Sequence, residues 1–306
     1  MTLHIADESF DWGLFRGSSC AFGVFDGLHE GHRFLIDQAI ETKPPTGRAM
    51  AITFDIDPDE VFHPNRLKKL MRNADRLDAL VRSGVDDVVA FTFDERLYRQ
   101  SPEEFLATAF PAGAPAHLHV GEDFRFGARA AGTVDTLVEW GSHVGCDVHS
   151  HHLIAADGAP ITATRIRMLL LDCQLDEANR LLGHPYTLSE TVKRGRGEGS
   201  GFGIATANLE LKPHDRVLGE GVYAAYATVD GTRYKAAASV GVSPTFQATS
   251  TANMEVHILD FTGNLHGREI TVEFVKYLRP MRKFESTDEL IATVTADIQW
   301  VRDNLM

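Results

Sequence analysis

The chain has 306 residues, 43% hydrophobic and 24% charged, which is ordinary globular composition and more chain than one hydrophobic core usually organises. A formal net charge of −13 argues against a dedicated nucleic-acid or anionic-membrane binder, because neutralising phosphates needs a basic surface; a local basic pocket for a mononucleotide is still allowed. Three widely spaced cysteines, Cys20, Cys146 and Cys173, write neither a disulfide framework nor a paired metal motif. Asp7, Glu8 and Asp11 stand where a signal peptide would be basic, and no run of about eighteen apolar residues occurs, so a cytoplasmic protein is expected, off the membrane and a monomer or weak homo-oligomer.

In chain order, 20–25 reads as a strand, 33–39 as a helix, 49–54 as a strand, 74–81 as a helix and 87–93 as a strand. Helices near 102–109 and 134–143 alternate with strands at 117–121 and 146–153, the pattern of a parallel sheet with crossover helices. A helical pair, 164–171 and 175–182, ends at Gly183-His184-Pro185, where glycine and proline punctuate the chain. Beyond that point strands at 187–193, 204–211, 221–229, 233–240, 254–261 and 268–278 follow one another without helices, before a closing helix at 287–305. This second half reads as a small antiparallel barrel, giving domains at 1–184 and 185–306.

Phe22-Gly23-Val24-Phe25-Asp26-Gly27-Leu28-His29-Glu30-Gly31-His32 runs from the first strand into the first helix. Its glycines let backbone approach a ligand, the helix start directs amides and dipole at an anion, and two histidines three apart share one side of a turn. Such a pair can donate hydrogen bonds to phosphate oxygens as charge builds in a transition state. Taken alone, the spacing is equally that of surface histidines.

The full string resembles the GxFDGxHxGH motif of bacterial FMN adenylyltransferase domains, found in bifunctional riboflavin kinase/FAD synthetases, and later segments fall in that family's order along essentially the whole chain. The resemblance implies a Rossmann-like HxGH nucleotidyltransferase domain in which His29 and His32 bind ATP phosphates and act in catalysis. It also implies nucleotide binding by Gly23, Phe25, Asp26, Gly27, Gly31, Thr164 and Arg167, and flavin binding by Asp123, Phe124 and Phe126 of the run Gly121–Gly127. Two departures stand out. Ile56-Asp57-Pro58 occupies the place of a Pro-His-Pro after Thr53-Phe54-Asp55, and Thr162-Ala163 replaces two serines of an ISST run.

In the second half, residues 193–203 alternate glycine with other residues among Lys193, Arg194 and Arg196. No helix and no third glycine follow as a dinucleotide fingerprint requires, and no Gly-Lys-Ser/Thr ending occurs, but such a loop can wrap an ADP moiety. Ala205-Thr206-Ala207-Asn208 is similar to the PTAN signature of riboflavin kinases with alanine for the proline, and Ser239–Phe246 resembles that family's IGxxPTF loop. The resemblance implies a six-stranded kinase barrel in which Lys193, Gly195, Gly197 and Gly201 bind nucleotide. Thr206 and Asn208 would hold Mg²⁺, Glu255 would be the catalytic base, and Arg279 and Phe284 would line the flavin site. Strand alternation independently separates Glu255 from Met254, Val256 and Ile258.

The implied cofactor is Mg²⁺, with ATP as co-substrate and riboflavin, FMN and FAD as substrates and products. Two other readings fit the same residues: a kinase with a degenerate N-terminal domain, suggested by Asp57 and Ala163, and a non-catalytic flavin-binding regulator. His149, His151 and His152 are expected to be surface residues, since neighbours on a strand point apart.

Overall fold

The computed structural model describes residues 1–63, 68–193, 205–211, 217–241 and 253–306. The chain forms two compact units, Met1–Asn65 with Arg72–Thr162, and Arg66–Met71 with Ala163–Met306.

The first unit contains β1 (Thr2–Ala6), β2 (Ser19–Phe22), α1 (Glu30–Glu41), β3 (Ala49–Phe54), α2 (Pro58–Phe62), α3 (Asn73–Val81), β4 (Asp87–Phe91), α4 (Glu95–Tyr98), α5 (Pro102–Ala109), β5 (His117–Gly121), α6 (Val134–Val144), β6 (Asp147–His151) and a short hairpin of β7 (Ala155–Ala156) and β8 (Ala159–Pro160). Six strands form one parallel sheet in the order β1-β4-β3-β2-β5-β6. β2, β3 and β4 are buried at every position, as a parallel strand covered on both faces must be, whereas β1 and β6 at the edges are partly exposed. From β2 the chain runs outward through β3 to β4, then returns to place β5 on the other side of β2. The carboxyl ends of β2 and β5 therefore flank a topological switch point, where open α/β sheets bind ligands.

Local chemistry sets the element ends. Ser101 and Glu104 form a capping box with Pro102 in the first turn of α5, and Gly145 at φ 75° closes α6. The strand expected over 20–25 stops at Phe22, because Phe25 takes a left-handed conformation, φ 61°.

The second unit begins with α7 (Ala163–Leu171) and α8 (Leu175–Leu182), followed by β9 (Tyr186–Lys193), β10 (Ala207–Glu210), β11 (Gly221–Val229), β12 (Thr232–Gly241), β13 (Asn253–Ile258), β14 (Glu269–Arg279) and α9 (Thr287–Asn304). The six strands close an antiparallel barrel in the order β10-β13-β12-β11-β14-β9. Its interior holds Tyr186, Tyr223, Val256, Val272 and Phe274, all nearly inaccessible. α9 covers part of the outside, where Val301 and Leu305 pack on Ala224 and Leu259.

α8 docks on the barrel through Asn179, which donates to the Phe274 carbonyl (2.9 Å) and accepts from the Tyr186 amide (2.7 Å). By packing, the helical pair thus groups with the barrel rather than with the sheet that precedes it in sequence.

Candidate active sites

The first site lies after β2. Gly23 donates its N–H to the Ile52 carbonyl (3.1 Å), holding the chain on the sheet as it turns away. Phe25, Gly27 (φ 79°) and Leu28 (φ 42°) then make a tight left-handed passage that delivers His29 to the N-cap of α1. His29 is buried and its Nδ1 accepts the His32 amide (3.3 Å), so one catalytic candidate also caps the helix carrying the other. The two imidazoles stack at 3.6 Å and 16°, with Phe25 edge-on to His32 at 5.3 Å. Gly31 leaves room for this stack: a Cβ there would sit 3.2 Å from the His29 ring, close enough that the ring must shift to accept it.

Burial, the adjacent His29 and the Arg76 cation together hold His32 well below the usual histidine range, so it is neutral at physiological pH. Its Nδ1 is buried without a hydrogen-bond partner among the described residues, an orphan that a phosphate oxygen or a ligand hydroxyl could satisfy.

Arg76 is a site residue that sequence periodicity does not disclose. Lying on α3 and 1% exposed, it donates to the Val24 carbonyl (2.8 Å), Thr53 Oγ1 (2.7 Å) and the Phe54 carbonyl (2.7 Å). It ties together the ends of β2 and β3 beneath the histidines. Desolvation lowers its pKa, opposed by Asp57, Asp26 and Asp55.

Asp26 is buried, as its place in the motif requires. Asp57, the departure from the family pattern, has a local role: its carboxylate caps α2 by accepting from the Asp59 amide (3.0 Å). At the end of β5, Phe124 packs on Phe22 (5.1 Å) and Phe126 on Phe105 (5.6 Å), while Asp123 is exposed. Phe126 is therefore part of the core, and Phe124 and Asp123 are the accessible members of that run. Thr164 and Arg167 lie on α7 in the second unit, Thr164 exposed and Arg167 half-buried.

His149 and His151 are half-buried and paired rather than free at the surface. β5 and β6 run parallel with His119 opposite His149, which sets His117, His119, His149 and His151 in a ladder. His119 is 1% exposed and bridges His151 (2.9 Å) and the Thr42 hydroxyl (2.8 Å). Alternation places His149 and His151 on one face together, and the partner strand covers them; only His152 behaves as expected, exposed beside Glu122. Among the described residues no group of three or more His, Cys, Asp or Glu is arranged to hold a metal ion.

The second site is on the outer face of the barrel. Pairing sets Lys193 opposite Asn208, Asn208 opposite Glu255, and Glu255 opposite Ser239, one row across β9, β10, β13 and β12. Directly opposed residues project to the same side about 4.5–5.5 Å apart. Their neighbours Val192, Leu209, Met254 and Val240 are buried, so the polar row faces outward. Thr206 lies just before β10, two residues ahead of Asn208, and the Asn208 side-chain amide approaches the Thr206 carbonyl at 3.5 Å.

An open cavity of about 790 Å³ is lined by Lys193, Thr206, the buried Val192, Ala207, Val256 and Ile258, and the turn from Phe261 to His266, so it meets the outward row at Lys193. Two neutral oxygen donors two residues apart, the Thr206 hydroxyl and the Asn208 amide carbonyl, with the Glu255 carboxylate opposite Asn208, are of the kind that suits a hard divalent cation. Arg279 and Phe284 come together past β14: Asp297 on α9 holds the guanidinium (2.8 Å), which lies 5.8 Å from the Phe284 ring. Gly195, Gly197, Gly201 and the 243–246 loop lie outside the described residues.

A switch-point α/β unit with an HxGH helix start, joined to a closed barrel bearing a Thr-x-Asn row and an opposed glutamate, defines a nucleotidyltransferase fused to a flavin-kinase type of barrel. A family model described as FAD synthetase matches residues 14–165, and one described as riboflavin kinase matches residues 182–305. The bifunctional riboflavin kinase/FMN adenylyltransferase of Pseudomonas fluorescens is 33% identical over 292 residues, covering 94% of this chain and 93% of that protein. The enzyme of the same description from Escherichia coli K12 is 33% identical, with 92% and 91% covered. A solved structure from Streptococcus pneumoniae, described as a macrolide-efflux protein, is 29% identical with a TM-score of 0.79 over 94% of each chain. The chain belongs to the bifunctional riboflavin kinase/FMN adenylyltransferase family.

Proposed function

We propose that the chain makes both flavin cofactors, phosphorylating riboflavin to FMN at the barrel and adenylylating FMN to FAD at the α/β unit, with ATP as donor in each step. Glu255 directly opposite Asn208, two residues on from Thr206, is the observation that carries the kinase half. Glu255 accepts the proton of the riboflavin 5′-hydroxyl as that oxygen attacks the γ-phosphorus, and ADP leaves. Lys193 supplies positive charge to the phosphates, and the cavity beside it has room for the nucleotide. Thr206 and Asn208 would hold Mg²⁺, which when bound neutralises phosphate charge. Arg279 and Phe284 wall the flavin, with Asp297 fixing the guanidinium in place.

At the first unit, His29 and His32 receive ATP phosphates at the start of α1, and an FMN phosphate oxygen attacks the α-phosphorus, releasing pyrophosphate. Neutral imidazoles donate one hydrogen bond each, and the helix dipole adds to the developing-charge stabilisation. The backbone of Gly23, Phe25, Asp26, Gly27 and Gly31 shapes that site, Thr164 and Arg167 contribute to nucleotide binding, and Asp123, Phe124 and Phe126 form or support the flavin side. The functional division falls at 184/185. We propose further that the protein is cytoplasmic and a monomer or weak homo-oligomer, and the −13 charge supports small molecules rather than nucleic acid or membrane as its partners; no helix of the described residues is long and apolar enough to cross a membrane.

The test is product chromatography after incubation with Mg²⁺-ATP and, separately, riboflavin or FMN. FAD from both substrates is expected; riboflavin stopping at FMN with added FMN unchanged would remove the adenylyltransferase half, and unchanged riboflavin the kinase half.

A further inference from the structure

His257 follows Glu255 by two residues on β13 and so projects from the same outer face of the barrel. Its Nδ1 lies 2.9 Å from the Ala205 carbonyl oxygen. A carbonyl only accepts, so Nδ1 carries the proton and donates. The bond falls just outside β10, where the ladder to β13 ends at the pair Ala207 and Val256. The Ala205 carbonyl and the Thr206 amide belong to one rigid peptide plane. Holding the carbonyl therefore fixes the plane from which the Thr206 side chain departs. Alanine at 205 leaves φ free where a proline would fix it, so the imidazole is the restraint that the residue type itself does not provide.

We infer that His257 is a positioning residue for phosphoryl transfer, locking the Ala205–Thr206 peptide and with it the direction in which the Thr206 side chain leaves the backbone. The inference rests on the kinase reading above. The Asn208 side chain reaches back to the Thr206 carbonyl at 3.5 Å, which belongs to the next peptide plane and does not hold the Ala205–Thr206 plane. Asp260 is the acid close to His257, and it is engaged by Arg302 through two bonds of 3.0 Å, which leaves the imidazole to the Ala205 carbonyl.

Calorimetric titration of ADP into the full chain, with Mg²⁺ and with EDTA, tests this apart from turnover. His257→Ala should weaken Mg²⁺-dependent ADP binding about tenfold, the loss of one such hydrogen bond, and change metal-free ADP binding less than about twofold. In kinase assays the KM for Mg²⁺-ATP should rise by about the same factor with kcat within about twofold. His257→Gln, which keeps a donor, should stay near the parent, and Ala205→Pro added to His257→Ala should recover most of the loss by fixing φ. Conversion of supplied FMN to FAD should be unchanged in all three, reporting an intact chain. Parental Mg²⁺-ADP affinity in His257→Ala, or a glutamine variant as weak as the alanine one, would overturn the inference. Failure of the parent protein to form FMN from riboflavin would instead remove the reading beneath it.

Discussion

At Gly31 the requirement for glycine is one of space. Its absent side chain is what lets the His29 ring lie flat on His32, because a methyl group at that position meets His29 Cε1 and Nδ1 at 3.2 Å. Gly31→Ala should tilt the imidazole without unfolding α1, since alanine is the better helix former. A misplacement of an ångström or less at a reacting centre costs about 10- to 100-fold in rate. FAD formation from supplied FMN should fall by that factor, with FMN formation from riboflavin and the denaturation midpoint unchanged. Glu255→Gln acts oppositely. It preserves shape at the row of Lys193, Asn208 and Ser239 but cannot accept the hydroxyl proton, so FMN formation should drop about 10²- to 10⁴-fold. Direct measurement of ADP release with riboflavin present checks it. Both residues lie in contiguous motifs, which is why the sequence alone singles them out as candidates. Arg76 is not singled out, since an arginine in an amphipathic helix reads as solvated, and only the fold reveals that its guanidinium spans the ends of β2 and β3.

Elements whose hydrophobic pattern is unbroken could be read with their bounds, as β3, α5, β5, α8 and β11 show. Where backbone conformation decides, the pattern misleads. The apolar run over 20–25 continues past the true end of β2, because nothing in periodicity signals the left-handed Phe25. The short elements β1, α2 and α4 lack the length to show a period. The histidine ladder escaped for another reason: His117 and His119 meet His149 and His151 through strand register, which the order of residues along the chain does not reveal. That ladder has a consequence for stability. Burial, then the neighbouring His149, His151 and His117, depresses His119 to about 3, and burial lowers His149 and His151 as well. An unfolded chain takes up protons near pH 6.5, whereas folded His119 stays neutral far below it. The His119 contribution is therefore fully present above pH 6.5 and is lost as pH falls from there toward about 3. Urea denaturation of the parent should show a midpoint that falls between pH 7.5 and pH 5. His119→Gln, which keeps a hydrogen-bonding group but does not titrate, should show a shallower dependence over the same range.

Across the whole molecule, each unit has a core of its own. The aromatic cluster of Phe22, Phe54, Phe91 and Phe105 supports the first site, while Tyr223, Val256, Val272 and Phe274 support the second. No side chain placed in phosphoryl transfer is needed to build the HxGH turn, whose restraints come from Gly23, Gly27, Gly31 and Arg76. FMN leaves the barrel as a free product if nothing else captures it, and the cavity beside Lys193 is open to solvent. Two defective proteins should then repair one another. His29→Ala should convert riboflavin to FMN and stop, and Glu255→Gln should leave riboflavin untouched while turning supplied FMN into FAD. Mixed in equal amounts with riboflavin and Mg²⁺-ATP, they should make FAD after a lag that shortens as total protein rises, because FMN must diffuse between molecules. Time-resolved chromatography separates the outcomes. FAD with a concentration-dependent lag establishes two independent sites exchanging a free intermediate, whereas FMN accumulating in the mixture without FAD would mean that the adenylyltransferase accepts only FMN made within its own chain.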